Sequence, residues 1–78
     1  MKYYVITIEQ VYNEGQLGEY MTKSDPQTEK SARTMFFDKC SAINADLSDK
    51  GHAWAYIAII NSKGGAEKEE KLGQYVEQ

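Results

Sequence analysis

The segment 53–60 reads Ala-Trp-Ala-Tyr-Ile-Ala-Ile-Ile, and it constrains the fold of this chain more than any other stretch because every position is apolar. Eight residues are few for a helix, and the isoleucine and aromatic content favours a strand. Side chains of a strand alternate between two faces, so both faces of this strand need apolar cover. A chain of 78 residues has room for one core, so it cannot easily supply that cover on both sides.

Two strand-like segments precede it. Residues 3–12 are rich in β-branched and aromatic side chains, with a more apolar even-numbered face and a half-apolar odd-numbered face. We expect the even-numbered face to contact the core. The sequence Asn-Glu-Gly at 13–15 predicts a turn, and residues 16–23 then return as a second strand. The weak alternation and the glycine of that strand are typical of a sheet edge.

The C-terminal segment allows two interpretations. The loop 61–65 carries two glycines and predicts a hairpin, so we expect a charged edge strand over residues 66–72 and a frayed tail over 73–78. Helical spacing of charged and apolar residues within 67–76 leaves a second helix as the alternative.

A long amphipathic helix is predicted between these pairs of strands. Ser24 can cap it with Gln27 as the capping-box partner, or Asp25 can cap it with a proline at the first helical position. Gly51 favours an end near residue 49. One apolar stripe runs along the helix and consists of Ala32, Phe36, Cys40, Ile43 and Leu47.

The element order predicts an α+β fold of type ββαββ, a single domain over 1–78 with one helix packed on a four-stranded, mainly antiparallel sheet. One helix covers one face of a sheet. On the strand 53–60, Trp54, Tyr56 and Ile60 point away from the alternate positions, and both sets are apolar. Since something must cover the second face, we expect a homodimer formed through it.

Composition excludes several classes of protein. A single cysteine excludes an intrachain disulfide and favours a reducing compartment, so we expect a cytoplasmic protein. A net charge of −3 argues against non-specific nucleic-acid binding. We also expect no membrane partner, because no apolar run approaches the roughly 20 residues that span a bilayer.

Catalytic chemistry has one candidate pair, Cys40 and His52. Nucleophilic catalysis needs these groups within hydrogen-bond reach and a third group that orients the imidazole, and no third group is evident. Cys40 lies instead within the apolar stripe, where a thiol acts as a small apolar group. We therefore predict a protein that is not an enzyme and that needs no cofactor and no metal.

Binding residues are suggested by the aromatic content, since tyrosine supplies a large contact area with a polar tip and the chain has six tyrosines. The only arginine, Arg33, could bind phosphate or stack on a base, although an ion pair with Glu29 also explains it. The candidate partner-binding or ligand-binding residues are Tyr3, Tyr20, Arg33, Phe37, Trp54, Tyr56 and Ile60.

Short motifs resemble a known group of proteins. The opening Met-Lys-Tyr-Tyr-Val-Ile at 1–6, the Asp-bearing helix start, and Ala-Ile-Ile-Asn-Ser-x-Gly-Gly at 58–65 are similar to small ββαββ proteins of phages, prophages and mobile elements of gut bacteria. The usual helix start of that group is of the Asp-Thr-Leu type, from which Asp25-Pro26 departs. The resemblance implies the same element order and a mobile-element origin, and it transfers no catalytic residue.

A small acidic protein of this type is expected to act by binding. The first hypothesis is a protein–protein inhibitor of a host defence component, acting in the host cytoplasm. The second is a protein that sequesters a nucleotide-type signal between subunits, through tyrosine stacking and cationic contacts to phosphate. The third is an enzyme that uses Cys40 and His52.

Overall fold

A computed structural model describes residues 1–13, 16–49 and 52–73. Its four strands form one sheet in the order β2-β1-β3-β4, in which every neighbouring pair is antiparallel. The predicted ββαββ fold is therefore confirmed. The elements are β1 Tyr3–Asn13, β2 Gln16–Lys23, α1 Glu29–Asp49, β3 His52–Asn61 and β4 Ala66–Gly73.

Both predicted edge strands are confirmed, since β2 and β4 lie at the two sides of the sheet. The segment after residue 65 is a strand, as predicted, and the alternative of a helix there is wrong for Ala66–Gly73. Gly64 has a φ of 86° in the turn between β3 and β4, a conformation that glycine adopts without steric cost. Gly73, the first residue of the expected frayed tail, belongs to β4, so the tail prediction is wrong for this residue. Residues 74–78 lie outside the described residues, as do two residues of the first turn and Gly51.

The helix begins later than the sequence predicts. The backbone of Gln27 exchanges two hydrogen bonds of 2.9 Å with the backbone of Tyr3, so Gln27 extends the edge of the sheet and cannot be helical. The hydroxyl of Ser24 accepts a hydrogen bond of 2.8 Å from the amide of Val5 instead of capping a helix. The hydroxyl of Thr28 accepts from the amide of Ser31 at 3.2 Å and serves as the N-cap. The predicted caps at Ser24 and Asp25 are therefore wrong.

The core lies between α1 and one face of the sheet. The predicted stripe is confirmed for Ala32, Phe36 and Ile43, which are buried, while Cys40 is half-buried and packs against them. The side chain of Leu47 is outside what the structure describes. The sheet supplies Val5, Thr7, Ala55, Ile57 and Ile59.

The face of β1 that contacts the core is the odd-numbered one, so the expected even-numbered core face is wrong. In the register, Val5 lies opposite Ile59 and Thr7 opposite Ile57, so the helix packs on β-branched side chains of both strands. The even-numbered partners on β3 are Trp54 and Tyr56, whose large rings and polar tips suit a surface better than a close helix contact. Thr7, a buried polar residue of the core face, forms a hydroxyl–hydroxyl hydrogen bond with Thr22.

Candidate functional site: the uncovered sheet face

The even-numbered side chains of β1 and β3 form the second face of the sheet, over which no other element of the described residues packs. Pairing in the sheet places residues of neighbouring strands on the same side, so the register defines this surface directly. We call it the sheet face. Its apolar members are Tyr4, Ile6, Ile8, Met21, Trp54, Tyr56, Ala58 and Ile60.

Exposure differs between the centre and the edge of the sheet face. Ala58 is fully buried because larger neighbours flank it, and the large side chains of β1 and β3 are half-buried. Met21 on the edge strand β2 is 69% exposed. The surface is therefore a continuous apolar area whose side chains shield one another only in part, which is typical of a contact site.

One hydrogen-bonded chain crosses three strands of the sheet face. The indole Nε1 of Trp54 donates to Oε1 of Gln10, and Nε2 of Gln10 donates to Oε2 of Glu19 at 3.2 Å. This chain fixes the ring of Trp54 against β1 and satisfies its polar atom.

A second polar contact lies on the β4 side. The hydroxyl of Tyr56 donates to Oε1 of Glu69 at 2.6 Å. This hydrogen bond, then burial, then the negative charge of Glu69 raise the pKa of Tyr56 to about 12. On the β2 side, the ammonium of Lys23 lies 4.5 Å from the centroid of the Tyr4 ring. Charged groups thus frame an apolar centre.

The structure brings together three of the seven predicted binding residues. Trp54, Tyr56 and Ile60 lie on the sheet face. The other four, Tyr3, Tyr20, Arg33 and Phe37, belong to the helix side of the molecule and do not join them. Two groups of candidate residues therefore occupy opposite surfaces.

On the helix side, Phe37 is 56% exposed and packs edge to face on Phe36, with ring centroids 5.6 Å apart. The ammonium of Lys68 lies 5.4 Å from the Phe37 centroid. Arg33, one turn before Phe37, forms an exposed ion pair of 3.1 Å with Glu29. We call Arg33, Phe37 and Lys68 the helix patch.

The remaining two predicted residues have different environments. Tyr3 is half-buried and packs against the core, so its ring is mainly structural. Tyr20 is 59% exposed, and its ring stands over Gly18, where an added Cβ would lie 3.2 Å from a ring carbon. Gly18 thus leaves room for a large exposed ring on the edge strand.

Sequence reasoning missed Tyr4, Ile6, Ile8 and Met21 as surface residues. The even-numbered side of β1 is the more apolar one, and for that reason the sequence predicts that it contacts the core. In the register, this side pairs with Trp54 and Tyr56. These two large side chains with polar tips are the signal that identifies the side as a surface.

The catalytic candidates do not form a described site. The thiol of Cys40 is half-buried, and burial together with the charge of Glu70 raises its pKa, against a smaller opposite effect of Lys68. A raised pKa keeps the thiol protonated and weakens it as a nucleophile. The side chain of His52 lies outside the described part. Among the described side chains, no group of three or more His, Cys, Asp or Glu could hold a metal ion.

Within the described part of the chain, no helix has both the length and the apolar character needed to cross a membrane. Comparison with known proteins found no matching protein family, no similar curated protein and no similar solved structure.

Proposed function

We propose that this protein acts by binding other proteins and not by catalysis, and that the sheet face is one of its contact surfaces. The observation that carries this proposal is the sheet face itself, a continuous apolar area on the two central strands that no described element covers. Apolar areas framed by charge mark contact sites on soluble domains.

The residue types of the sheet face support a protein partner. The polar tips of Trp54 and Tyr56 form hydrogen bonds to Gln10 and Glu69, and both side chains lie on the sheet face. Tryptophan and tyrosine in such positions contribute most of the binding energy at many protein interfaces.

We propose further that the protein works as a homodimer and that its target is a protein of a host defence system, met in the host cytoplasm. The likeness of its sequence motifs to proteins of phages and mobile elements supports this target class. A dimer formed through the sheet face leaves the helix patch free. The exposed ring of Phe37 between Arg33 and Lys68 would suit a target surface with an apolar pocket and acidic groups.

A second candidate function is the sequestration of a nucleotide-type ligand. It is favoured by a depression of about 420 Å³ between α1 and β2, whose lining includes Lys39 and the hydroxyl-bearing Thr22 and Ser24. Tyr20 lies on the same side of β2 as Thr22 and offers an exposed ring for stacking. A cation, hydroxyl groups and an aromatic ring are the groups that bind phosphate and a base.

The test is a plating assay with a phage that a host defence system restricts. Expression of the wild-type chain should restore plating, and Phe37→Asp should abolish this effect while the protein stays folded. Ser62→Asp, in the exposed turn after β3, is the matched control and should behave as wild type. If nucleotides stabilise the purified protein against heat and Lys39→Ala removes both this stabilisation and the plating effect, the second candidate is correct and protein inhibition is not.

A further inference from the structure

We infer that a second copy of this chain occupies the sheet face, related to the first by a two-fold axis that runs parallel to the strands between β1 and β3. The inference rests on the proposed function of the sheet face as a protein-contact surface, and it specifies the partner and its orientation. It is carried by the distribution of charge across the sheet.

The register places four residues in one row across the sheet face. Lys23 of β2 lies opposite Ile6 of β1, Ile6 opposite Ala58 of β3, and Ala58 opposite Glu69 of β4. The row therefore begins with a cation on one edge strand and ends with a carboxylate on the other. Its centre is apolar.

A two-fold axis parallel to the strands keeps each residue in its row and exchanges the two edge strands. Lys23 of one copy then faces Glu69 of the other, and the symmetry repeats the contact at the opposite edge. Sheets pack face to face at about 10 Å, a gap that long charged side chains at the two edges can bridge. The dimer thereby gains two identical ion pairs, one at each side of an apolar centre.

The apolar rows agree with this orientation. In the row of Lys23, the side chain of Ile6 faces the small Ala58 of the second copy. In the next row, Ile8 faces Tyr56 of the second copy. Near the axis, each isoleucine of β1 thus meets either a small side chain or a flat aromatic ring, and such pairs allow close packing.

The other in-plane two-fold axis runs across the strands and brings different charges together. If that axis passes through the row of Met21, Ile8, Tyr56 and Lys71, it places Lys71 against its own copy. Like charges held face to face at an interface are unfavourable. A crosswise axis that passes between this row and the row of Lys23 instead places Glu69 against Lys71 and Lys23 against Met21. Only the axis parallel to the strands pairs Lys23 with Glu69, and the charge exchange described below distinguishes the two arrangements.

The size of the sheet face is sufficient for a specific dimer. Four strands spaced at about 4.8 Å and paired over about 30 Å give roughly 550 Å² of projected area per copy. Two copies then bury roughly 1,100 Å² in total, which exceeds the roughly 1,000 Å² expected of a specific interface. A second copy matches this area without any further segment.

The test is a charge exchange, measured by light scattering and analytical ultracentrifugation of the full chain. Wild type should be a dimer of twice 8.9 kDa at micromolar concentration. Lys23→Glu and Glu69→Lys should each weaken dimerisation by about tenfold, because each variant places like charges at both edges. The double variant Lys23→Glu with Glu69→Lys restores opposite charges and should dimerise within about threefold of wild type.

Matched controls are available on the same elements. Glu70→Lys reverses an acid on β4 that lies opposite Ile57, on the helix side, and should leave the dimer intact. Circular dichroism establishes that each variant is folded.

A wild-type monomer overturns the inference. A double variant that dimerises as weakly as the single variants also overturns it. If the wild type is monomeric while Phe37→Asp still abolishes the plating effect, the inference and the proposed homodimer fail, and binding of a host target through the helix patch stands.

Discussion

At the scale of single residues, Phe36 and Phe37 show how neighbouring positions in one helix serve different purposes. Phe36 is 1% exposed in the core, whereas Phe37 is 56% exposed on the helix patch. Removing a buried phenylalanine side chain loses its transfer free energy and leaves a cavity.

Phe36→Ala should therefore lower the free energy of unfolding by about 3–5 kcal/mol, a large part of the total for a domain of this size. Phe37→Ala, its neighbour, should cost less than about 1 kcal/mol, because its ring is mostly in water. Urea unfolding followed by circular dichroism measures both. Equal losses in the two variants would show that the assignment of the core stripe is wrong.

The hydrogen bond between Tyr56 and Glu69 predicts a pH dependence. The pKa of Tyr56 is raised from 10.0 to about 12 in the folded chain, so the neutral phenol is stabilised by folding. This contribution is fully present below about pH 10 and is lost as the pH rises through about 12. Ring-labelled tyrosine NMR should show that Glu69→Gln returns the pKa of Tyr56 towards its ordinary value.

The control for this titration is Glu70→Gln, which removes the adjacent carboxylate on the opposite side of β4. It should leave the pKa of Tyr56 raised. An identical titration of Tyr56 in the Glu69 and Glu70 variants would contradict the assigned cause.

Cys40 belongs to the helix stripe, and its thiol has a raised pKa. We expect Cys40→Ala and His52→Ala to keep the plating effect within a few-fold of wild type, apart from any loss through stability. A folded Cys40→Ser variant that keeps its binding and loses all activity would instead support catalysis.

At the scale of elements, the start of α1 is the clearest difference between sequence and structure. Ser24 and Gln27 have the spacing of a capping box, and their side chains do meet, since Nε2 of Gln27 donates to the Ser24 hydroxyl at 3.0 Å. Both residues are nevertheless held by the backbone of β1, which no local pattern reveals. The cap is Thr28.

Thr28→Ala should lower the free energy of unfolding by about 1 kcal/mol, because the amide of Ser31 loses its acceptor. Asp25→Ala, at the position of the second predicted cap, should have an effect below about 0.5 kcal/mol. Thermal and urea unfolding of the two variants give the comparison. A larger loss for Asp25→Ala would place the helix start three residues earlier.

The element order, both edge strands and most of the helix stripe were predictable, because they depend on local periodicity and turn residues. The choice of core face was not. Both sides of β1 and β3 are apolar, so periodicity cannot distinguish them, and the decision depends on how closely α1 can approach Ala55 and Ile57 compared with Trp54 and Tyr56. In the candidate site, the sequence predicts that Trp54, Tyr56 and Ile60 share one face, because they occupy alternate positions of one strand.

At the scale of the whole molecule, one helix and one sheet leave an apolar face that a domain of 78 residues cannot cover with its described elements. A second copy related by a two-fold axis resolves this imbalance, since one surface then covers itself. In the proposed dimer, the helix patch lies outside the interface and can contact another partner.

The fluorescence of Trp54, the only tryptophan of the chain, tests this account most directly because the ring lies on the sheet face. We predict that its emission is blue-shifted at micromolar concentration and moves to longer wavelength on dilution, as the dimer dissociates and water reaches the indole. Ile60→Glu should show the long-wavelength emission at every concentration, and Phe37→Glu should follow the wild type. An emission maximum of the wild type that is independent of concentration and equal to that of Ile60→Glu would contradict the account.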